Sequence, residues 1–258
     1  MERETILFEV EDHIATITLN KAESYNSFNN AMGRDMLWAW ETCREEEDIH
    51  VVVLQANGEK AFCTGADTKA KEKLWIYHDS VWNDTDPGAM LSPKYVHKCW
   101  KPVVTAVHGL CAGGGMYFVN EADIVICSDD AVFFDPHANV GIVSALEAIG
   151  MLHRGVPLGD VLRWALMGNE ERIGAETALR LGLVSEVTTR DNLRARARAI
   201  AETIAARNPK AIQGTIRAIW ESLDLSRTPA LNHGMHYTTI GNEPRVALEP
   251  LNIPVRYR

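Results

Sequence analysis

The chain has 258 residues, 46% of them hydrophobic and 24% charged, with a formal net charge of -9. Such a length buries a large core, as one domain with an appendage or as two small domains, and the composition is that of an ordinary globular protein. The acidic balance argues against general nucleic-acid binding, which needs a basic footprint. It leaves room for a small anionic ligand held by a local cluster of Lys and Arg.

Ile6 to Glu11 and Ile14 to Leu19 read as two strands around the turn Glu11-Asp12-His13, with hairpin-like alternation. Asn20 to Asn26 is polar and turn-like. Phe28 to Glu47 carries Met32, Met36, Leu37 and Trp40 at helical spacing. Val51-Val52-Val53-Leu54 is a continuous apolar strand of the kind buried on both faces. After the turn Ala56 to Lys60 comes the small-residued segment Ala61-Phe62-Cys63-Thr64-Gly65-Ala66-Asp67-Thr68-Lys69. From Lys69 to about Lys98 the pattern is poor. Trp75, Tyr77, His78 and Trp82 lie among turn formers there, either as a mobile cover over a pocket or as a plain surface excursion.

Pro102 to Val107 is a buried strand that runs into His108-Gly109-Leu110-Cys111-Ala112-Gly113-Gly114-Gly115, and Met116 to Val119 can start a helix. Three consecutive glycines cost backbone entropy, so a strand-to-helix junction that holds them needs a reason. One reason is a bent main chain that turns a bare N–H toward an anion or a carbonyl oxygen gaining negative charge. The other is a tight turn where strand and helix pack closely. Beyond it, Asp123 to Cys127 and Ala131 to Phe134 are strands, the second ended by Asp135-Pro136-His137. Helices are expected over Gly141 to His153, Arg163 to Met167 and Gly174 to Leu181, the last capped by Gly182. Leu183 to Val187 is a short strand, Asn192 to Arg207 and Lys210 to Leu223 are helices, and from Asn232 to Arg258 the pattern weakens. A β-rich core over 1-190 and a helical region over 191-258 follow.

Cys43, Cys63, Cys99, Cys111 and Cys127 are odd in number and form no CxxC pair, so reduced thiols in a cytoplasmic protein are the simplest account. The first residues lack the apolar core of a signal peptide. No apolar run approaches the roughly 20 residues a membrane span needs.

Two segments together resemble the signature of the crotonase superfamily, the enoyl-CoA hydratase/isomerase proteins. They are Ala61 to Lys69 and Lys101 to Gly115, supported by Leu19-Asn20, Asn26, Ala122-Asp123-Ile124 and Ala178 to Val184. The likeness runs collinearly over about residues 6 to 225. It implies an α/β fold: a spiral of repeated ββα units, with C-terminal helices that build a homotrimer or a hexamer. It implies an acyl-CoA substrate, no partner of the nucleic-acid or membrane kind, no metal, and no cofactor beyond the coenzyme A moiety. The oxyanion hole would be the backbone N–H groups of Ala66 and Gly114, each worth roughly 3 to 4 kcal/mol as an enolate forms on the thioester. Ser24, Tyr25, Thr64, Asp67 and Thr68 would contact coenzyme A. Glu23 stands where relatives often carry a Lys, which leaves the phosphates to Lys21, Lys69, Lys71, Lys73 or a neighbouring subunit.

The chain departs from the family in its acid/base groups. The positions of the two hydratase glutamates hold Tyr117 and His137. Tyr117 is a poor base, with a reference pKa of about 10, and is either a water-holding group or pocket wall. His137 is a plausible general acid or base, or a structural histidine at a strand end, and Asp135 would orient it. Glu147 falls where some relatives place a catalytic acid, against the alternative of an ordinary helix-surface residue. His108 reads as a packing or hydrogen-bonding residue. Three functions follow from this. One is a hydratase or isomerase with non-standard acid/base residues. Another is a hydrolase of a thioester or a carbon–carbon bond. The third is a non-catalytic acyl-CoA binder.

Overall fold

A computed structural model describes residues 3–70 and 91–241. Its contacts divide the chain into two compact units, Met1–Arg207 and Asn208–Arg258.

In the first unit, β1 (Ile6–Glu11) and β2 (Ile14–Leu19) form the expected hairpin, in antiparallel register from Ile6↔Leu19 to Glu11↔Ile14. Helix α1 (Asn30–Glu45) follows, its first turn capped by the Asn29 side chain, which accepts from Met32 N at 3.0 Å. Next come β3 (Val51–Ala56), β4 (Ala61–Cys63), β5 (Val103–Val107), β6 (Leu110–Ala112), β7 (Ile124–Ser128), β8 (Val132–Phe134), β9 (Ile173–Gly174) and β10 (Glu186–Thr188). One sheet has the order β1-β2-β3-β5-β7-β10 and the other β4-β6-β8-β9. Each pass of the chain, β3 then β4, β5 then β6, β7 then β8, adds one strand to each sheet beside the previous pass, and these pairings are parallel. This is the spiral of ββα turns. The helices are α2 (Tyr117–Asn120), α3 (Leu146–His153), α4 (Leu158–Met167), α5 (Ala175–Arg180) and α6 (Leu193–Ala205).

The strand period of two divides the apolar residues between two cores. Val52, Leu54, Val103 and Val107 face a large cluster that holds Trp40, Phe62, Phe118, Phe133 and Trp164. Their neighbours Val51, Val53, Val104 and Ala106 face a second cluster, covered by Leu193, Ala197 and Ala201 of α6. Because α6 seals that face of the sheet, the first unit runs on to Arg207, past the boundary expected at residue 190. The buried tryptophans also satisfy their N–H groups: Trp40 Nε1 donates to Leu91 O at 3.1 Å and Trp164 Nε1 to Phe133 O at 3.3 Å. All five cysteines are free and buried, and burial pushes the Cys63 and Cys127 thiols up to about 12.

Two expectations are corrected. The helix foreseen from Gly141 begins at Leu146, because 137–140 is a 3-10 turn ended by Gly141 in the left-handed region, at φ 71°. The weakly patterned end of the chain contains a helix, α8 (Arg227–Gly241), which pairs with α7 (Pro209–Ser222) in the second unit. Polar contacts help join these helices. Glu221 accepts from Arg217 Nε at 2.8 Å, from His233 Nε2 at 2.6 Å and from the Tyr237 hydroxyl. Most of the aromatic-rich stretch read as a possible cover lies outside the described residues. Among the described residues no helix is long and apolar enough to cross a membrane.

Candidate active site

The glycines are where the two signature segments meet. Phe28 N donates to Gly65 O and Asp67 N donates to Phe28 O, both at 2.9 Å, so the Thr64–Thr68 segment lies flat against residue 28. Gly65 has φ +83°, and a Cβ there would lie 2.9 Å from the Gly114 nitrogen. A Cβ on Gly115 would collide with the Cys63 carbonyl. Only bare backbone permits this approach. It sets Gly65, the residue before Ala66, against Gly114. Gly114 is the second residue of the 3-10 turn Gly113–Met116, where an N–H has no partner within the turn. Among the described residues no acceptor is paired with the Ala66 N–H.

Three side chains crowd the same glycines. A Cβ on Gly113 would stand 3.5 Å from His137 Cε1; one on Gly114 would stand 2.7 Å from the Phe28 ring and 3.2 Å from the Tyr117 ring. The Phe28 and Tyr117 rings are 6.4 Å apart between centroids, and both residues are buried. Phe28 read from sequence as the start of a helix. Its part in walling the Gly114 N–H is legible only in three dimensions.

His137 is held from behind. Asp135, fully buried, accepts from the His137 backbone N at 3.1 Å and is hydrogen-bonded through Oδ1 to Nδ1 of the ring. The other ring nitrogen, Nε2, is 3.8 Å from Glu147 Oε1. The Asp135 bond holds the imidazole pKa above its ordinary value; burial opposes this, and the Glu147 charge adds to it. For Asp135, burial pushes the carboxyl pKa up, but the His137 bonds outweigh it and hold the pKa below the usual range. The buried Ser144 hydroxyl, near but outside hydrogen-bond geometry, acts in the same direction.

Glu147 is 2% exposed, which overturns its reading as a surface residue. It sits in the first turn of α3, where the helix dipole favours a carboxylate. Asn120 Nδ2 donates to its backbone carbonyl at 3.0 Å.

The expected coenzyme A residues gather at one edge of these segments. Thr64 Oγ1 donates to Tyr25 O at 3.4 Å, and Ser24 Oγ donates to Lys21 O at 3.2 Å. Asp67 accepts from Lys69 N and pairs with Lys21 at 3.7 Å, while Thr68 is exposed. Asn26, buried in a left-handed conformation at φ 52°, ties the turn to the strands by donating to Asn57 O and Ala61 O. Lys21 also donates to Ser27 O at 3.3 Å, which makes it a brace of this edge. Lys60, not singled out from sequence, stands over the exposed Tyr25 ring at 5.8 Å. Lys71 and Lys73 lie outside the described residues.

Residues 9–245 match the family model described as "Enoyl-CoA hydratase/isomerase". The chain belongs to the enoyl-CoA hydratase/isomerase family. It is an acyl-CoA thioester enzyme of the crotonase type. The (E)-benzylidenesuccinyl-CoA hydratase of Thauera aromatica is 34% identical to it over 90% of this chain and 87% of that protein. A (7aS)-7a-methyl-1,5-dioxo-2,3,5,6,7,7a-hexahydro-1H-indene-carboxyl-CoA hydrolase of Rhodococcus jostii (strain RHA1) is 37% identical over 67% of this chain and 64% of that protein. The crystal structure of an enoyl-CoA hydratase/isomerase from Mycobacterium paratuberculosis superposes with a TM-score of 0.84 at 34% identity, covering 93% of this chain and 90% of that one. In this member of the family the carboxylates that reach His137 among the described residues are Asp135 and Glu147. Among the described residues no group of three or more His, Cys, Asp or Glu side chains is placed to hold a metal ion.

Proposed function

We propose that this protein adds water across the double bond of an α,β-unsaturated acyl-CoA, with His137 and Glu147 sharing the proton transfers. The observation that carries this reading is the pairing of a buried Glu147 with an Asp135-oriented His137, whose ring lies against the glycine turn. The thioester oxygen accepts from Ala66 N–H and Gly114 N–H, each donor worth roughly 3 to 4 kcal/mol as negative charge develops. The raised pKa of His137 favours the imidazolium, so Glu147 takes the base role and His137 the acid role. Glu147 takes a proton from water as the water oxygen bonds to Cβ. The double-bond electrons pass through Cα to the thioester oxygen. As they return, His137 protonates Cα. A proton then passes from Glu147 to His137, once the pair closes from 3.8 Å to hydrogen-bond distance or through a water between them, and resets the site. Tyr117 and Phe28 wall the carbonyl. Ser24, Tyr25, Thr64, Asp67 and Thr68 line the coenzyme A edge.

Hydrolysis of a carbon–carbon bond is the second reading. The Asp135–His137 pair favours it, since a carboxylate-held imidazole can activate water against a carbonyl, and a relative is named a hydrolase. A homotrimer or hexamer in the cytoplasm belongs to the same proposal. Support for assembly comes from apolar side chains left exposed on α7 and α8, among them Ile219, Leu231 and Ile240.

The test is mass-spectrometric product analysis across a panel from crotonyl-CoA to aryl- and ring-bearing thioesters. A gain of one water with coenzyme A retained and no new carboxylate is expected. A new carboxylate would mean carbon–carbon hydrolysis, and free coenzyme A would mean thioester hydrolysis. His137→Ala and Glu147→Gln should each lower turnover by about 10²- to 10⁴-fold while acyl-CoA still binds. An unchanged rate in either variant refutes its assigned role.

A further inference from the structure

On the α6 side of the six-stranded sheet lies a chamber of about 90 Å³, lined by Gln55, Ala106, His108, Arg190, Asp191 and Arg194, with Leu193 and the 56–58 turn completing it. It is separate from the acyl-CoA site. Ala106 belongs to the core covered by α6, whereas the neighbouring Val107 faces the core that carries the glycine turn. A larger groove of about 650 Å³ adjoins it and shares Gln55 and Arg194.

His108 is 4% exposed, and its Nε2 is buried with no partner among the described residues. Leaving a buried polar nitrogen unpaired costs roughly 1 to 3 kcal/mol, so one of the residues lining the chamber has an unmet hydrogen bond. The outer wall supplies positive charge. Arg190 is spent on protein partners: it donates to Asp130 Oδ2 at 2.6 Å, to Glu59 O at 2.8 Å and to Gly58 O at 3.1 Å. Arg194 uses only Nη2, on Ala56 O at 2.7 Å and Asn57 Oδ1 at 2.8 Å, and its Nε and Nη1 have no partner among the described residues.

The charged groups that act on the ring are Arg190 and Arg194 against Asp130; Asp191, exposed, also lines the chamber. Burial, and then these arginines, push the His108 pKa down to about 4, with Asp130 and the Gly58 backbone opposing. The ring is therefore neutral at physiological pH. With the Gly58 backbone favouring a proton on the ring, Nε2 is left with a lone pair and no partner, in a residue that lines the same chamber as the unspent Arg194 guanidinium. Such a pair is complementary to an oxyanion that arrives with one proton. The O–H satisfies Nε2, or protonates it, and the charged oxygens accept from Arg194 in the planar fork that suits them. The volume admits one phosphate-sized anion or about three waters.

We propose that this chamber binds a small oxyanion of the phosphate kind together with one proton, between Arg194 and His108. Inorganic phosphate is the probe, and chloride at equal ionic strength is the control. Ring-proton NMR of the intact protein should show phosphate raising the His108 pKa by about one unit or more, as a bound anion must if it sits against the ring. Chloride should leave it in place. Arg194→Gln should weaken phosphate binding about tenfold or more, while Arg194→Lys keeps part of it. Equal shifts in chloride, undiminished binding in Arg194→Gln, or a crystal grown in phosphate with only waters in the chamber would each overturn the proposal.

Discussion

Replacing Asp135 with Asn tests the electrostatic heart of the site with almost no change in shape. Asp135 is fully buried and accepts two hydrogen bonds from His137, one from the backbone N at 3.1 Å and one from the ring. A hydrogen bond to a charged group is worth about 1.5 to 3 kcal/mol, and one pKa unit corresponds to about 1.4 kcal/mol. Losing the charge should therefore lower the His137 pKa by about 1 to 2 units. Glu147, 3.8 Å away, still acts to raise the imidazole pKa, against the burial that lowers it. If His137 acts as the acid, the basic limb of the kcat profile moves down by the same interval. Turnover falls progressively between the new and old limbs, by about tenfold to a hundredfold above both, and well below both it approaches that of the wild type.

Stability should follow with a definite sign. The folded His137 pKa lies above its unfolded value, so its contribution is complete below 6.5 and is lost as pH rises through the folded pKa. The folded Asp135 pKa lies below 3.8, so its contribution is present above that value and is lost as pH falls through the folded pKa. The melting temperatures of wild type and Asp135→Asn should differ most between these two values. NMR titration of the His137 ring, kcat profiles on the substrate found by the panel, and melts across pH supply the three readouts. A wild-type His137 that titrates at or below 6.5, or a basic limb unmoved by the substitution, would refute the reasoning.

Gly114→Ala puts a methyl group 2.7 Å from the Phe28 ring and displaces one oxyanion donor; kcat should fall by about 10²- to 10³-fold with acyl-CoA affinity far less affected. Steady-state kinetics beside calorimetric binding checks this, and unchanged kcat would remove Gly114 from the hole. Acyl-CoA at saturation should slow hydrogen exchange over Thr64 to Lys69 and Leu110 to Tyr117; no protection in either segment would place the ligand elsewhere. Sedimentation should give a trimer or hexamer, and a clean monomer at micromolar concentration would count against assembly through the exposed α7 and α8 side chains.

Much of the fold is legible along the chain because its causes are local. The apolar runs at Val51 and Val103 become the central parallel strands β3 and β5, and the turn residues between Leu19 and Phe28 stay a turn. The glycine stretch announces that backbone must approach backbone, and Gly65 and Gly115 meet Gly114 and Cys63 as that requires. The helix α8 leaves little trace along the chain because it lacks a continuous apolar stripe, and its polar ties through Tyr237 and His233 have no sequence period. The three-residue strands β4 and β6 are too short to show an alternation at all.

The acid/base site is where local pattern gives out. Tyr117 and His137 were found by their place in the signature, but nothing along the chain distinguishes a buried Glu147 from one on a helix surface. That depends on how α3 docks, and its later start at Leu146 turns Glu147 in its first turn toward His137. The strands, the bare-backbone junction and the Asp135–His137 pair are legible along the chain, since each depends on neighbours within a few residues. Glu147 reaches the imidazole only in three dimensions, because its burial and the 3.8 Å approach arise between segments ten residues apart whose turn must first fold.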